Sequence, residues 1–195
     1  MKINIHTHRP RPSERSICTA GVHPYDAASV TERQLIEVAE QAAEADAVGE
    51  TGLDFVCDVD KELQESVLRY QLALAERLHK PVILHCVRAF EPLMKLLAEY
   101  ELVAVIFHGF VGSPEQALRA VRCGYYLSFG HRTFASPRSL DALRQTPLDR
   151  LFVETDDNDI TIEEVYERIA QALCVDVDRL EEAIGKNFET IFGTA

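Results

Sequence analysis

Residues 3–8 read Ile3-Asn4-Ile5-His6-Thr7-His8, an apolar run that closes on two histidines one residue apart. The run predicts a first strand over 3–6. A doubly wound nucleotide-binding sheet usually carries a Gly-rich turn at this exit, whereas this chain carries imidazoles. Outward from here, short apolar runs alternate with longer amphipathic ones, the pattern of strand–helix units around a parallel sheet. Further strands are predicted over 17–23, 46–50, 81–85, 102–108, 125–129 and 151–154. The segment 9–15 holds Pro10 and Pro12 and reads as a loop. Helices are expected after Thr31, whose Thr-x-x-Gln spacing to Gln34 is a capping-box signature, and over 60–78 with Leu63, Val67, Tyr70 and Leu74 inward. More follow over 90–99, from Ser113-Pro114, and after Thr161 and Asp178, the last burying Leu180, Ile184, Phe188 and Ile191. Seven strands so interleaved predict an α/β fold, a (β/α) TIM-like barrel. A complete barrel typically needs ~250 residues, so this one is expected to be trimmed to about seven strands, in one domain over 1–195.

Composition narrows the class. Apolar residues make up 47% of the 195, as in globular chains. The net charge of −12 argues against broad attraction to nucleic acid, although metal ions and arginines in a cleft reverse a field locally. Cys18, Cys57, Cys86, Cys123 and Cys174 are odd in number and contain no C-x-x-C pair, which fits a reducing cytosol. No signal-peptide pattern and no apolar stretch of membrane-spanning length is seen, so a cytoplasmic protein is expected, with no membrane contact and no stable protein partner.

The polar residues at strand ends carry the functional reading. His6 and His8 close the first predicted strand, Glu50 the third, His85 the fourth and His108 the fifth, while Asp156 lies just past the seventh. In (β/α) barrels the carboxyl ends of the strands converge on one rim. Side chains two apart on a strand share a face, so both imidazoles of His6-Thr7-His8 point the same way. Taken singly, each residue has a bland reading: a hydrogen-bonded core histidine, a helix cap, an ion-pair partner. Four of seven histidines at strand ends, joined by two carboxylates at others, make coincidence a poor account. Such mixed imidazole and carboxylate donors suit Zn, Mn, Ni or Fe, with Mg also to be considered, and not Ca. Six donors exceed what one catalytic zinc takes, and suit two ions ~3.5–4 Å apart with Glu50 as the natural bridge.

Specific blocks then point to a family. Ile5-His6-Thr7-His8, Ala20-Gly21-Val22-His23-Pro24, Val48-Gly49-Glu50-Thr51-Gly52-Leu53-Asp54-Phe55, 81–85, His108-Gly109-Phe110-Val111-Gly112 and Val153-Glu154-Thr155-Asp156 occur in that order. With them the chain resembles the TatD-like metal-dependent hydrolases of the amidohydrolase superfamily, in a short form. The resemblance implies His6, His8, Glu50 and Asp156 on one divalent ion and Glu50, His85 and His108 on another. It implies water activation with Asp156 and Glu50 as catalytic residues, Asp156 taking the proton, most often on phosphodiester bonds of nucleic acid. The family has a helix and a strand between His8 and the Gly-Val-His-Pro block, a proline and a long Arg- and Asn-containing loop after Asp156, and often an arginine two residues past His85. Here only twelve residues, 9–20, fill the first gap, Asp157-Asn158-Asp159 leads toward a helix, and Arg88 comes three residues on.

Around the ligands, His23 and Arg88 are candidate substrate contacts, with a turn-stabilising histidine and a surface arginine as the alternatives. Arg9, Arg11 and Arg15 form a basic spot that either meets phosphate or is a solvated loop. Asp54 either orients a ligating histidine or caps a turn. His79 and His131 read as structural or surface residues. Cys86, beside a ligand on a strand, should face packing. Competing functions are hydrolysis of an amide, ester or lactone, and a metal-binding barrel without activity. A histidinol-phosphatase-type barrel, which also opens on His-x-His, generally needs further ligands not found here.

Overall fold

The computed structural model of the chain describes residues 1–193, which divide into two compact units. One unit comprises 18–107 and the other comprises 1–17 with 108–193. All strand pairings within each are parallel. Among the described residues, no helix is long and apolar enough to cross a membrane.

The contiguous unit repeats strand and helix. It holds strand β3 (Thr19–Ala20), helix α1 (Glu32–Glu44), β4 (Ala47–Asp54), α2 (Lys61–Leu78), β5 (Val82–Val87), α3 (Phe90–Leu97) and β6 (Val105–Phe107). The strands pair in chain order, β3-β4-β5-β6. Val82, Ile83 and Leu84 on β5 are all fully buried, as expected of a parallel strand covered on both faces. The predicted capping box forms, Thr31 and Gln34 closing reciprocally on α1, and on α2 Asp60 accepts from the Glu62 and Leu63 N–H groups. Leu35, Val38 and Ala39 on α1 are only half-buried, and Ala42 alone is fully covered.

Two expectations here need correction. Glu50 and His85 were expected at strand ends, yet both lie inside strands. Gly49 and Glu50 together stand opposite Ile83, a bulge that lets β4 continue and pair Thr51 to Asp54 with Leu84 to Val87. Bulges re-aim side chains, and this one falls at the candidate ligand. The buried face of α2 is also not the Leu63–Val67–Tyr70–Leu74 stripe. Leu63 and Tyr70 are exposed, and the inward positions include Gln64 and Gln71. Each glutamine replaces apolar contact with backbone satisfaction. Gln71 accepts from the Val22 N–H at 2.7 Å and donates to the Thr51 hydroxyl at 2.6 Å and the Val22 carbonyl at 3.1 Å. Gln64 accepts from the Asp54 N–H and donates to the Asp54 carbonyl. The two amides thereby fix the chain beside His23, Glu50 and Asp54.

The discontinuous unit holds β1 (Lys2–Asn4), β2 (Glu14–Ser16), α4 (Pro114–Arg122), β7 (Tyr126–Phe129), α5 (Pro137–Gln145), β8 (Leu151–Val153), α6 (Ile162–Leu173) and α7 (Val177–Phe192). β2 pairs with β1, and β7 with β8. The Ile5 N–H bonds the Val153 carbonyl, which joins the exit of β1 to β8. Two elements were not expected. β2 falls at the end of the segment read as a loop, because Pro10 and Pro12 lie ahead of its paired residues. α5 starts at Ser136-Pro137, with the Ser136 hydroxyl accepting from the Ser139 N–H. The remaining strands are shorter than predicted, and Asn187, buried on α7, donates to the Leu148 and Leu151 carbonyls to set the start of β8.

Gln71→Leu, although more apolar, leaves the Val22 N–H and the Thr51 hydroxyl without this partner. It should cost about 2–4 kcal/mol, lowering the melting midpoint by roughly 5–15 °C. An unchanged thermal midpoint would show that the amide is dispensable.

Candidate functional site

In the discontinuous unit the His6-Thr7-His8 segment is zipped to Asp156. The Asp156 N–H bonds the His6 carbonyl and the His8 N–H bonds the Asp156 carbonyl, a parallel bridge centred on Thr7. Asn4, fully buried, secures the junction: its carbonyl accepts from the Thr155 N–H at 3.0 Å, and its NH2 donates to the Thr155 hydroxyl at 2.8 Å and to Glu14 at 3.0 Å. The Thr155 hydroxyl in turn donates to Thr7. Asp156 itself adopts the left-handed conformation, φ 55°. Its Oδ1 then lies 3.7 Å from His6 Nε2 and 3.5 Å from His8 Nε2, and the His6 ring stacks at a tilt on His108, centroids 4.3 Å apart.

Glu154 completes this cluster, and sequence reading did not single it out. It is fully buried, with Oε1 3.3 Å from His108 Nδ1 and Oε2 without a hydrogen-bond partner among the described residues. Burial works against its charge, but the neighbouring His108 and His6 outweigh that and hold its carboxyl below the ordinary range. Two glycines make room: a Cβ on Gly130 would stand 2.8 Å from the Glu154 carbonyl, and one on Gly109 (φ +50°) 3.2 Å from Oε1. The signal was available, since 154 and 156 share a face by the same two-residue rule applied to His6 and His8.

Ligand atoms of His6, His8 and Asp156 lie within 4.8 Å of one another, and so do those of His108, Glu154 and Asp156. A buried, ionised carboxylate with a bare oxygen calls for a compensating cation, and these donor sets fit a divalent metal.

The contiguous unit brings together His23, Glu50, His85 and Asp54. The ligand atoms of the first three lie within 4.8 Å of one another. His85 is held between carboxylates, Nδ1 at 2.7 Å from Glu50 and Nε2 at 3.2 Å from Asp54. Asp54 is thus a histidine-orienting acceptor and also a turn cap, since its Oδ1 takes the Val56 and Cys57 N–H groups. Burial alone would raise its carboxyl, but the Val56 N–H, His85 and the Cys57 N–H together hold it below the usual value. His23 is the turn-stabilising histidine of its two readings, and it also stands against Glu50. Its Nδ1 accepts from the Tyr25 N–H, capping a 3-10 turn, and its Nε2 lies 3.2 Å from Glu50. A Cβ on Gly52 (φ +151°) would lie 2.0 Å from the His85 carbonyl, so only glycine lets β4 and β5 approach here.

The remaining candidates divide. Arg88 is exposed just beyond β5, in the left-handed region at φ 50°. Arg9 and Arg11 are engaged by Asp159, through its carboxylate at 2.9 Å and its carbonyl at 3.0 Å, and Arg15 lies over the Phe188 ring. His79 is the left-handed cap of α2. Cys86 faces packing, where burial pushes its thiol up to about 12.

Residues 7–193 match the family model described as TatD related DNase. The uncharacterized metal-dependent hydrolase YabD of Bacillus subtilis is 38% identical over 143 residues, covering 70% of this chain and 56% of that protein. The 3'-5' ssDNA/RNA exonuclease TatD of Enterobacter lignolyticus is 33% identical over 202 residues, covering 91% of this chain and 78% of that protein. The solved structure of YJJV, a TatD homolog from Escherichia coli, is similar with a TM-score of 0.82 at 29% identity, covering 93% of this chain and 78% of that one. The chain therefore spans little more than half the length of YabD. The fold class is the expected one, an α/β TIM-like barrel.

Glu154→Gln keeps the shape and removes the buried charge. In chelator-treated protein at neutral pH the substitution should be destabilising, because it strips His108 of its charged partner, and in metal-loaded protein it should also weaken metal affinity about 10–100-fold, enlarging the loss. Melting midpoints with and without chelator, together with metal titrations, separate the two. Equal destabilisation in both states would mean that the carboxylate faces no cation.

Proposed function

The chain belongs to the family of TatD-related DNases, and on that footing we propose that it is a divalent-metal-dependent hydrolase acting on phosphodiester bonds. The observation that carries the reading is the gathering of imidazole and carboxylate donors within each unit: His6, His8, His108, Glu154 and Asp156 in one, His23, Glu50 and His85 in the other. Two ions per chain is the arrangement the family resemblance implies and this reading adopts, with Glu50 among the residues that would hold them. Bound divalent ions would supply Lewis acidity, lowering the pKa of a water to ~7 and offsetting negative charge on a phosphoryl group.

The chain's own residues have distinct tasks in this reading. Asp156 takes the proton of the attacking water, its backbone fixed by the Thr7 bridge so that the carboxylate does not drift. His23, with Nδ1 accepting from Tyr25, presents Nε2 to Glu50 at 3.2 Å, and with Glu50 engaged by an ion that Nε2–H is the donor to a substrate oxygen. Arg88 meets a phosphate as an exposed cation. Relatives named as a 3'-5' ssDNA/RNA exonuclease and as a putative deoxyribonuclease support the phosphodiester class. The five cysteines form no disulfide, in keeping with a reducing cytoplasm, the compartment this reading assigns.

Metal analysis of the purified protein should find up to two ions per chain, and Glu50→Gln should retain fewer. With Mn or Zn supplied, single-stranded oligonucleotides and simple phosphodiesters should be cleaved, and Asp156→Asn should lower kcat by about 100-fold or more. A protein inert on phosphodiesters but active on esters, lactones or amides would move the substrate class. One that is fully metallated yet inert on every class would be a metal-binding domain without this activity.

A further inference from the structure

The cleft in the discontinuous unit that is lined by Asp156 and the buried Glu154 has a second wall. It is formed by Gly130 and the 3-10 turn that follows β7, His131–Ala135, with Asp157 and Asn158 at its edge. The turn is tightly fixed. Gly130 lies so close to the Glu154 carbonyl that no larger residue fits without displacement, the Thr133 N–H bonds the Gly130 carbonyl at 3.1 Å, and the Thr133 side chain is buried. Phe134 of the same turn is covered by the Arg168 guanidinium, 4.2 Å from the ring centroid. A rigid turn thus presents His131 and Arg132 to solvent beside a buried carboxylate that has one oxygen unpartnered.

Arg132 differs from the other arginines near this unit's cluster. Arg9 and Arg11 are bound by Asp159, and Arg15 and Arg168 lie over aromatic rings. Arg132 is exposed, lines the cleft, and makes no hydrogen bond or ion pair among the described residues, although Asp156 and Asp157 line the same cleft. Its guanidinium is a planar fork of donors matched to a phosphate. In a chain of net charge −12, a polyanionic substrate needs local cations at the site. Where Arg9 and Arg11 are spent on Asp159, Arg132 stands in the cleft itself.

We propose that Arg132 is a substrate-binding residue that grips a phosphate group of the substrate in the cleft beside Asp156. The proposal rests on the phosphodiester reading above for its substrate class, and its test is separable from that reading. Inorganic phosphate is titrated by calorimetry into the metal-loaded full chain, its Arg132→Gln variant and its Arg132→Lys variant. Loss of a charge-assisted contact should weaken phosphate binding about 10–100-fold in Arg132→Gln. Lysine should recover part of the loss, and metal content and melting midpoint should not change. On a single-stranded oligonucleotide, Arg132→Gln should raise KM with kcat nearly intact, and flatten the log–log salt dependence by about 0.7. Phosphate affinity equal in wild type and Arg132→Gln, or a wild type that binds no phosphate, overturns the proposal even if oligonucleotides are cleaved. Phosphate binding that depends on Arg132 in a protein inert on phosphodiesters upholds the proposal and removes the nuclease reading instead.

Discussion

Three strands of the discontinuous unit meet at one side-chain amide. Asn4 on β1 satisfies the Thr155 N–H and hydroxyl beyond β8, and reaches Glu14 on β2, with no solvent access. Every partner is itself polar and buried, so losing the amide would strand several groups at once, the situation in which hydrogen bonds matter most. The ligands follow from it. With Thr155 held, the Asp156 backbone is aligned against Thr7, and both flanking imidazoles are presented to one carboxylate. The precision of the cluster is therefore a property of backbone pairing more than of the ligand side chains.

The contiguous unit achieves the same end by another route. There the strands are fixed by burial on both faces, and two glutamines from α2 supply what an apolar face cannot, namely partners for the irregular backbone around Val22 and Asp54. His85 is then confined by carboxylates on both ring nitrogens. Each unit sets two carboxylates among its imidazoles, Glu154 and Asp156 in one and Glu50 and Asp54 in the other, a donor set suited to a cation.

Much of this was legible in the chain. The strand–helix alternation, the caps at Thr31 and Ser113, and the residues that gather into clusters all carry local signals, since periodicity and capping depend on neighbours in sequence. What escaped depends on distant partners. Nothing local says that Gln64 and Gln71 turn inward, because the N–H groups they accept from, at Asp54 and Val22, lie ten and forty-nine residues away. The bulge at Gly49-Glu50 is set by register against β5, so β4 was ended too early. Glu154 and α5 are different, as both carried readable signals: the two-residue spacing to Asp156, and a Ser-Pro start like that at Ser113. Glu154 was overlooked because a carboxylate next to an apolar run resembles a strand's polar exit.

The clamp at Asn4 also has a temporal side. Its longest bond spans 151 residues of sequence. A ribosome adding about 5–20 residues per second needs on the order of ten seconds or more to cover that distance. His6 and His8 emerge that long before their carboxylate partner and the threonine that aligns it are made. Residues 18–107, by contrast, are complete well before that moment. During synthesis the nascent chain thus carries two imidazoles whose binding geometry cannot exist until Thr155 and Asp156 have left the tunnel.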